Sequence, residues 1–114
     1  MAALYTIIGQ SAPSATTATI LFTPVTAHQY VISTLVISNT STAAVNASVY
    51  TPKGSTTASA ATNILNAVVI PANSTLTLTL GITLNGTAPA DNVYVQTSVA
   101  NSLTFTAYGS DITA

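Results

Sequence analysis

The ionisable side chains other than tyrosine are quickly named: His28, Lys53, Asp91 and Asp111, with no arginine, glutamate or cysteine beside them. A Ser-His-Asp relay needs a nucleophile, a base and an orienting carboxylate that meet in space. Serine is abundant, but no G-x-S-x-G elbow occurs, and His28 stands in the turn-like run "TAHQ", where an exposed loop histidine is the plainer reading. Asp91 follows a Gly- and Pro-containing loop and Asp111 lies near the end of the sequence; each reads as a turn-former rather than half of a catalytic carboxylate pair. One His, two Asp and no Cys do not fill a closed zinc site or a calcium cage within one chain. Copies of His28 or Asp111 gathered on a symmetry axis are the one metal arrangement left open. Phosphate-cradling glycine motifs are missing. Four N-x-[ST] matches begin at Asn39, Asn46, Asn73 and Asn85, but in so hydroxyl-rich a chain such matches arise by chance. The expectation is a protein that is not an enzyme and uses no cofactor.

Composition narrows the partners. Charged residues are 3% of the 114 positions, against about 25% in an average soluble protein. The net charge is −1 with a single lysine, so phosphates find no cationic surface and nucleic acid is disfavoured as a partner. The same scarcity removes the repulsion that keeps monomers apart. Twelve serines and twenty-two threonines tile the chain instead. Such a surface is wet yet tolerates close neighbours, which suits an assembly. Although mean hydropathy is positive, no window approaches the roughly 18 consecutive apolar residues of a membrane helix, and no membrane partner is expected. The opening "MAALYTIIG" has neither a basic leader nor a long apolar run, so no signal peptide is expected. Without cysteine the redox compartment is not legible.

The elements available to hold these side chains follow a period of two. Val, Ile, Thr and Tyr dominate the apolar segments, as fits a pleated surface. Eight strands are predicted: Leu4–Ile8, Thr19–Thr23, Tyr30–Asn39, Ala44–Thr51, Ile64–Ile70, Thr75–Leu84, Asn92–Val99 and Leu103–Tyr108. Between them stand Gly9 and Pro13, Pro24, the "NTST" run, "PANS" and "NGTAPAD", where Asn-Gly tolerates positive φ. The longest loop is "TPKGSTTASAAT", in which a helical turn is only weakly signalled. These elements predict an all-β fold: one antiparallel β-sandwich of about eight strands, jelly-roll-like or Ig-like, with residues 1–14 as an N-terminal arm or first strand and 15–114 as the sandwich.

In Thr75–Leu84, Leu76, Leu78, Leu80, Ile82 and Leu84 share one face and Thr75, Thr77, Thr79 and Thr83 the other. Such strands pack face to face and leave a hydroxylated exterior. The same run resembles an ice-binding threonine ladder, an aggregation-prone zipper and a membrane stave. It occurs only once, however, is expected to be protected by pairing within the fold, and lacks aromatic girdles around it. Tyr30–Asn39 differs. Strict alternation puts Val31, Leu35 and Ile37 on one side and Tyr30, Ile32 and Val36 on the other. A small two-layer domain has nothing of its own to cover a second apolar face, so Tyr30, Ile32 and Val36 are expected at a subunit interface.

Four stretches, "IIGQSAP" (Ile7–Pro13), "VISTLVISNTS" (Val31–Ser41), "IPANSTLTLTLGITLN" (Ile70–Asn85) and "LTFTAYGSDI" (Leu103–Ile112), resemble in their order a group of small virion proteins of tailed bacteriophages. The resemblance spans most of the chain outside Thr51–Thr62 and rests on turns and strands rather than an active-site signature. The turn after the second strand reads "TPVTAHQ" here where many such proteins have Pro-Ala-Gly. The resemblance implies a virion structural protein, made in the host cytoplasm and carried on the capsid surface as a decoration (cement) protein. Its partners would be the major capsid protein and its own copies, with a trimer as the expected homo-oligomer. Leu4, Tyr5 and Ile7 would lie in an arm that adds a strand to a neighbour's sheet. The alternative is a tail or fibre module that binds a host receptor or glycan, with Tyr50, Tyr94 and Tyr108 available to stack on sugars.

Overall fold

The computed structural model describes residues 4–54 and 57–112. Eight strands run in sequence: β1 (Leu4–Ser11), β2 (Thr19–Phe22), β3 (Gln29–Asn39), β4 (Val45–Tyr50), β5 (Asn63–Ile70), β6 (Thr75–Asn85), β7 (Val93–Thr97) and β8 (Leu103–Asp111). All eight predicted strands are present, with ends shifted by up to three residues. A 3-10 turn, Ala60–Thr62, occupies the weakly signalled position in the long loop.

The pairing is nested: β1 with β8, β2 with β7, β3 with β6 and β4 with β5, all antiparallel. Two further ladders, β3 with β8 and β4 with β7, join these pairs into sheets of order β1-β8-β3-β6 and β2-β7-β4-β5. A ribbon folded at its middle and wound so that outer and inner pairs alternate between two sheets is a jelly roll. Of the two predicted sandwich types, the strand order selects this one.

Between the sheets lie Ile32, Leu35 and Ile37 from β3 and Leu103 and Phe105 from β8, packed against Val45 and Val49 from β4 and Val93 and Val95 from β7. All are essentially inaccessible to water, and each large side chain so buried contributes roughly 1.5–3 kcal/mol. Alternation places Asn46, Ser48 and Tyr50 of β4, and Tyr94 and Gln96 of β7, on the outside. Buried Thr97 stays satisfied because its Oγ1 donates to the Val99 carbonyl at 2.8 Å.

β3 corrects the expectation drawn from strict alternation. Its register against both β6 and β8 shifts between Ile32 and Thr34. Ser33 breaks the two-residue step, so Tyr30 and Ile32 before it and Leu35 and Ile37 after it all point inward. Tyr30 and Ile32 are therefore core residues, 6% and 0% exposed, and not surface residues awaiting a partner. Only Val36 of that trio faces outward. It lies half-buried in register with Thr77 and Thr106. Gly109 sits opposite Ile32, where a Cβ would overlap the Val31 carbonyl oxygen. Position 109 therefore has no room for a side chain beside the bulge.

Turn chemistry closes the ends. Asn39, 2% exposed, donates from Nδ2 to the carbonyls of Ala43 and Ile70 and accepts at Oδ1 from the Ser41 N–H and hydroxyl, at 2.7–2.9 Å. Its backbone N–H reaches the Ser74 carbonyl, so one residue ties three chain segments together. At "NGTAPAD", Thr87 N–H donates to Asn85 Oδ1 in an Asx turn. Gly86 serves there through lack of bulk rather than through positive φ: a Cβ would overlap the Val25 carbonyl oxygen.

Candidate functional site

The scattered ionisable residues are drawn into the framework. His28, in the β2–β3 turn, places Nδ1 2.7 Å from Oδ2 of Asp111 at the end of β8, 83 residues away. The ring also stacks on Tyr30, with centroids 6.1 Å apart. Tyr30 in turn meets Phe22 edge-on at 4.8 Å. His28 is thus half-buried and anchored, a pairing invisible in the sequence because its partner is so remote. The His–Asp geometry supplies two parts of a relay, yet among the described residues no Ser or Thr hydroxyl is hydrogen-bonded to His28. Asp91 accepts from the Gly54 N–H at 2.8 Å and the Asn85 N–H at 3.1 Å, stapling the 51–62 loop to the end of β6. Lys53 is exposed on that loop. Among the described residues no cluster of three His, Cys, Asp or Glu is placed to hold a metal.

What remains on offer is surface. Leu4, Tyr5 and Ile7 are exposed by 56%, 84% and 50%. They lie on β1, which is hydrogen-bonded into the sheet along its length with a shift between Ile7 and Gly9. This segment is therefore the first strand and one edge of the sandwich rather than a detached arm; residues 1–3 lie outside the described residues. Ile7 is in register with Tyr108, and Tyr5 with Ser110. Tyr5, Ile7 and Tyr108, together with Ser33 at the bulge, border a shallow, mainly apolar hollow on the outer β1-β8-β3-β6 face. The remainder of that face is hydroxylated, with Thr104 and Thr106 of β8 beside Ser38 and Val36 of β3 and the threonines of β6.

The three tyrosines proposed for sugar stacking do not converge. Tyr50 and Tyr94 are cross-strand neighbours on the outer face of the other sheet, whereas Tyr108 belongs to the face just described. Around Tyr50 two adjoining depressions share Tyr50, Asn66 and Gln96. Tyr50 donates its hydroxyl proton to Gln96 Oε1 at 2.9 Å, and Gln96 Nε2 donates to the Thr16 carbonyl at 2.9 Å. The resulting floor is an aromatic ring, the fixed amide of Gln96 and the amide of Asn66, without a charge. Sequence periodicity identified the tyrosines as outward-facing, but not the amides that gather round one of them.

The fourth surface is the free side of β6. Strand order leaves β6 at an edge, paired with β3 alone. Leu76, Leu78, Leu80 and Ile82 pack on the rim of the core and stay partly exposed. The protection by pairing expected for this run is therefore complete on one side only.

No family model, curated protein or solved structure matches this chain.

Proposed function

We propose that the protein is a non-enzymatic structural component of a bacteriophage virion, a capsid decoration protein that stabilises the head through contacts with the major capsid protein and its own copies. The observation that carries this reading is the combination of a small jelly roll with exposed apolar residues, Leu4, Tyr5 and Ile7, on an edge strand beside a hydroxylated face. A decoration protein needs a rigid body, a surface that tolerates near neighbours and no reactive machinery. His28, Asp91 and Asp111 are all engaged in holding turns and strand ends. Double-sheet jelly rolls serve in viral capsids as well as in lectins, so the fold agrees with the reading without selecting it. Contacts that are weak singly become strong when repeated over a lattice.

The test is to express a tagged chain in the cells that carry its gene, purify particles by density gradient and count copies by quantitative mass spectrometry. Hundreds per particle support the decoration role. A handful moves the protein to the tail, and a chain that does not travel with particles overturns the reading.

The alternative, a tail or fibre module that binds a glycan, is favoured by one specific feature. The uncharged depression around Tyr50, Asn66 and Gln96 combines an aromatic ring with two amides, that of Gln96 held by hydrogen bonds, the chemistry that recognises a neutral sugar. A glycan array whose signal is lost with Tyr50→Ala and Gln96→Ala would promote it.

A further inference from the structure

We propose that β6 is a self-pairing edge: two copies of the chain join antiparallel through their β6 strands, fusing two four-stranded sheets into one sheet of eight strands. The inference deepens the homo-oligomer element of the reading above and does not depend on the virion.

An edge strand presents unpaired N–H and C=O groups, and folded proteins usually blunt such edges by shortness, bulges, proline or charge. Three edges here are blunted. β2 has four residues. β1 changes register between Ile7 and Gly9. β5 is bent where Ala67 adopts a φ of 47° and Asn66 and Ala67 together oppose Ser48. β6 is eleven residues long, with no charge and no proline. Its side chains keep their in-out alternation from Thr75 to Asn85, and its one fault, Leu80 and Gly81 together opposing Ser33, leaves Thr75–Thr79 regular. Its inward row, Leu76, Leu78, Leu80 and Ile82, is left half-covered at the rim of the core.

The strand itself indicates the occupant. Antiparallel pairing about a two-fold axis matches each residue with its mirror image along the strand. In a sequence that alternates Thr and Leu, every register centred on a residue sets leucine against leucine and threonine against threonine. Centred on Leu78, Leu76 meets Leu80 of the second copy and Thr77 meets Thr79, both favourable cross-strand pairs. The second copy's leucine row then covers the exposed half of the first, while the threonines stay in water. With a net charge of −1 the two copies hardly repel. Each copy has one β6 edge, so the contact closes as a dimer and does not propagate.

The test is sedimentation equilibrium of the purified chain at tens of micromolar, a range that detects ordinary dimers. Wild type is expected at twice the monomer mass. Thr77→Lys with Thr79→Lys, on the solvent face, should weaken the dimer by about tenfold or more through like-charge pairing, with unchanged circular dichroism and melting as the folding control. Thr77→Glu with Thr79→Glu should do the same, and an equimolar mixture of the two variants should restore the dimer mass. The chain lacks cysteine, so a disulfide formed by single substitutions across Leu76→Cys to Leu80→Cys can only join two copies, and its strongest position marks the axis. A monomeric wild type, a lysine variant that dimerises normally, a mixture that stays apart, or a dimer dissolved by Tyr5→Lys instead would each overturn the proposal. A dimer in solution from a protein that does not travel with particles would uphold this contact while sinking the virion reading.

Discussion

Nδ1 of His28 lies 2.7 Å from Oδ2 of Asp111, a bridge between the turn that enters β3 and the end of β8. Both strands belong to the same sheet, and Tyr30 of β3 is in register with Asp111 itself. The bridge fastens a connection that carries little packing of its own. His28→Ala should lower stability by about 1 kcal/mol, the scale of one partly exposed polar contact. In thermal denaturation this reads as a fall of roughly 4 °C in Tm. A loss no larger than that of a surface substitution such as Thr79→Ala would show that the contact is idle.

The β3 bulge separates core from surface in a way that substitution can read. Ile32→Lys should abolish folding, because it places a charge among fully buried side chains. Val36→Lys should fold with nearly wild-type circular dichroism. Were Ile32 a subunit contact, its lysine variant would instead be a folded monomer.

Two glycines make a matched pair. Gly109→Ala should cost about 3 kcal/mol or more in urea denaturation, since its Cβ has no room beside the Val31 carbonyl. Gly81→Ala on β6 meets nothing within 4 Å and should be neutral or slightly stabilising, by up to about 0.5 kcal/mol.

Asn39→Ala should rank among the most damaging polar substitutions. It deprives the buried Ile70 carbonyl of its side-chain donor and the Ser41 N–H of its acceptor, and leaves the exposed Ala43 carbonyl with the Ser41 hydroxyl alone, at about 1–3 kcal/mol for a buried group left unsatisfied. Asn39→Asp should not rescue stability, because the carboxylate sets an acceptor against the Ala43 and Ile70 carbonyls.

If the decoration reading holds, Tyr5→Ser with Ile7→Ser should leave stability within about 0.5 kcal/mol of wild type, as exposed positions do. The same pair should reduce retention on particles by about tenfold. Co-sedimentation with purified capsids gives the comparison.

Strand positions were legible because half-buried strands leave a two-residue rhythm in Val, Thr, Leu and Ile, and because "NTST", "PANS" and "NGTAPAD" stop them. Three things were not. A bulge is a one-residue fault with no composition of its own, and Ser33 resembles any strand serine; its only trace was a strand seemingly apolar on both sides. The His28–Asp111 pair and the amides around Tyr50 depend on which strands become neighbours, information that the nested winding supplies and no local window holds. Nor could periodicity tell that β6 would lie outermost: edge and interior strands with one wet face alternate alike.

The nested winding brings Leu4 into register with Asp111, so the start of β1 and the end of β8 meet at one corner of the sandwich. A short linker could splice them, and new termini could be cut in the loop 51–62 without removing a strand from either sheet. Such a circular permutant should retain the native fold. A peptide joined before Leu4 or after Asp111 would be displayed from the same corner, which makes the domain a ready carrier with its fold left intact.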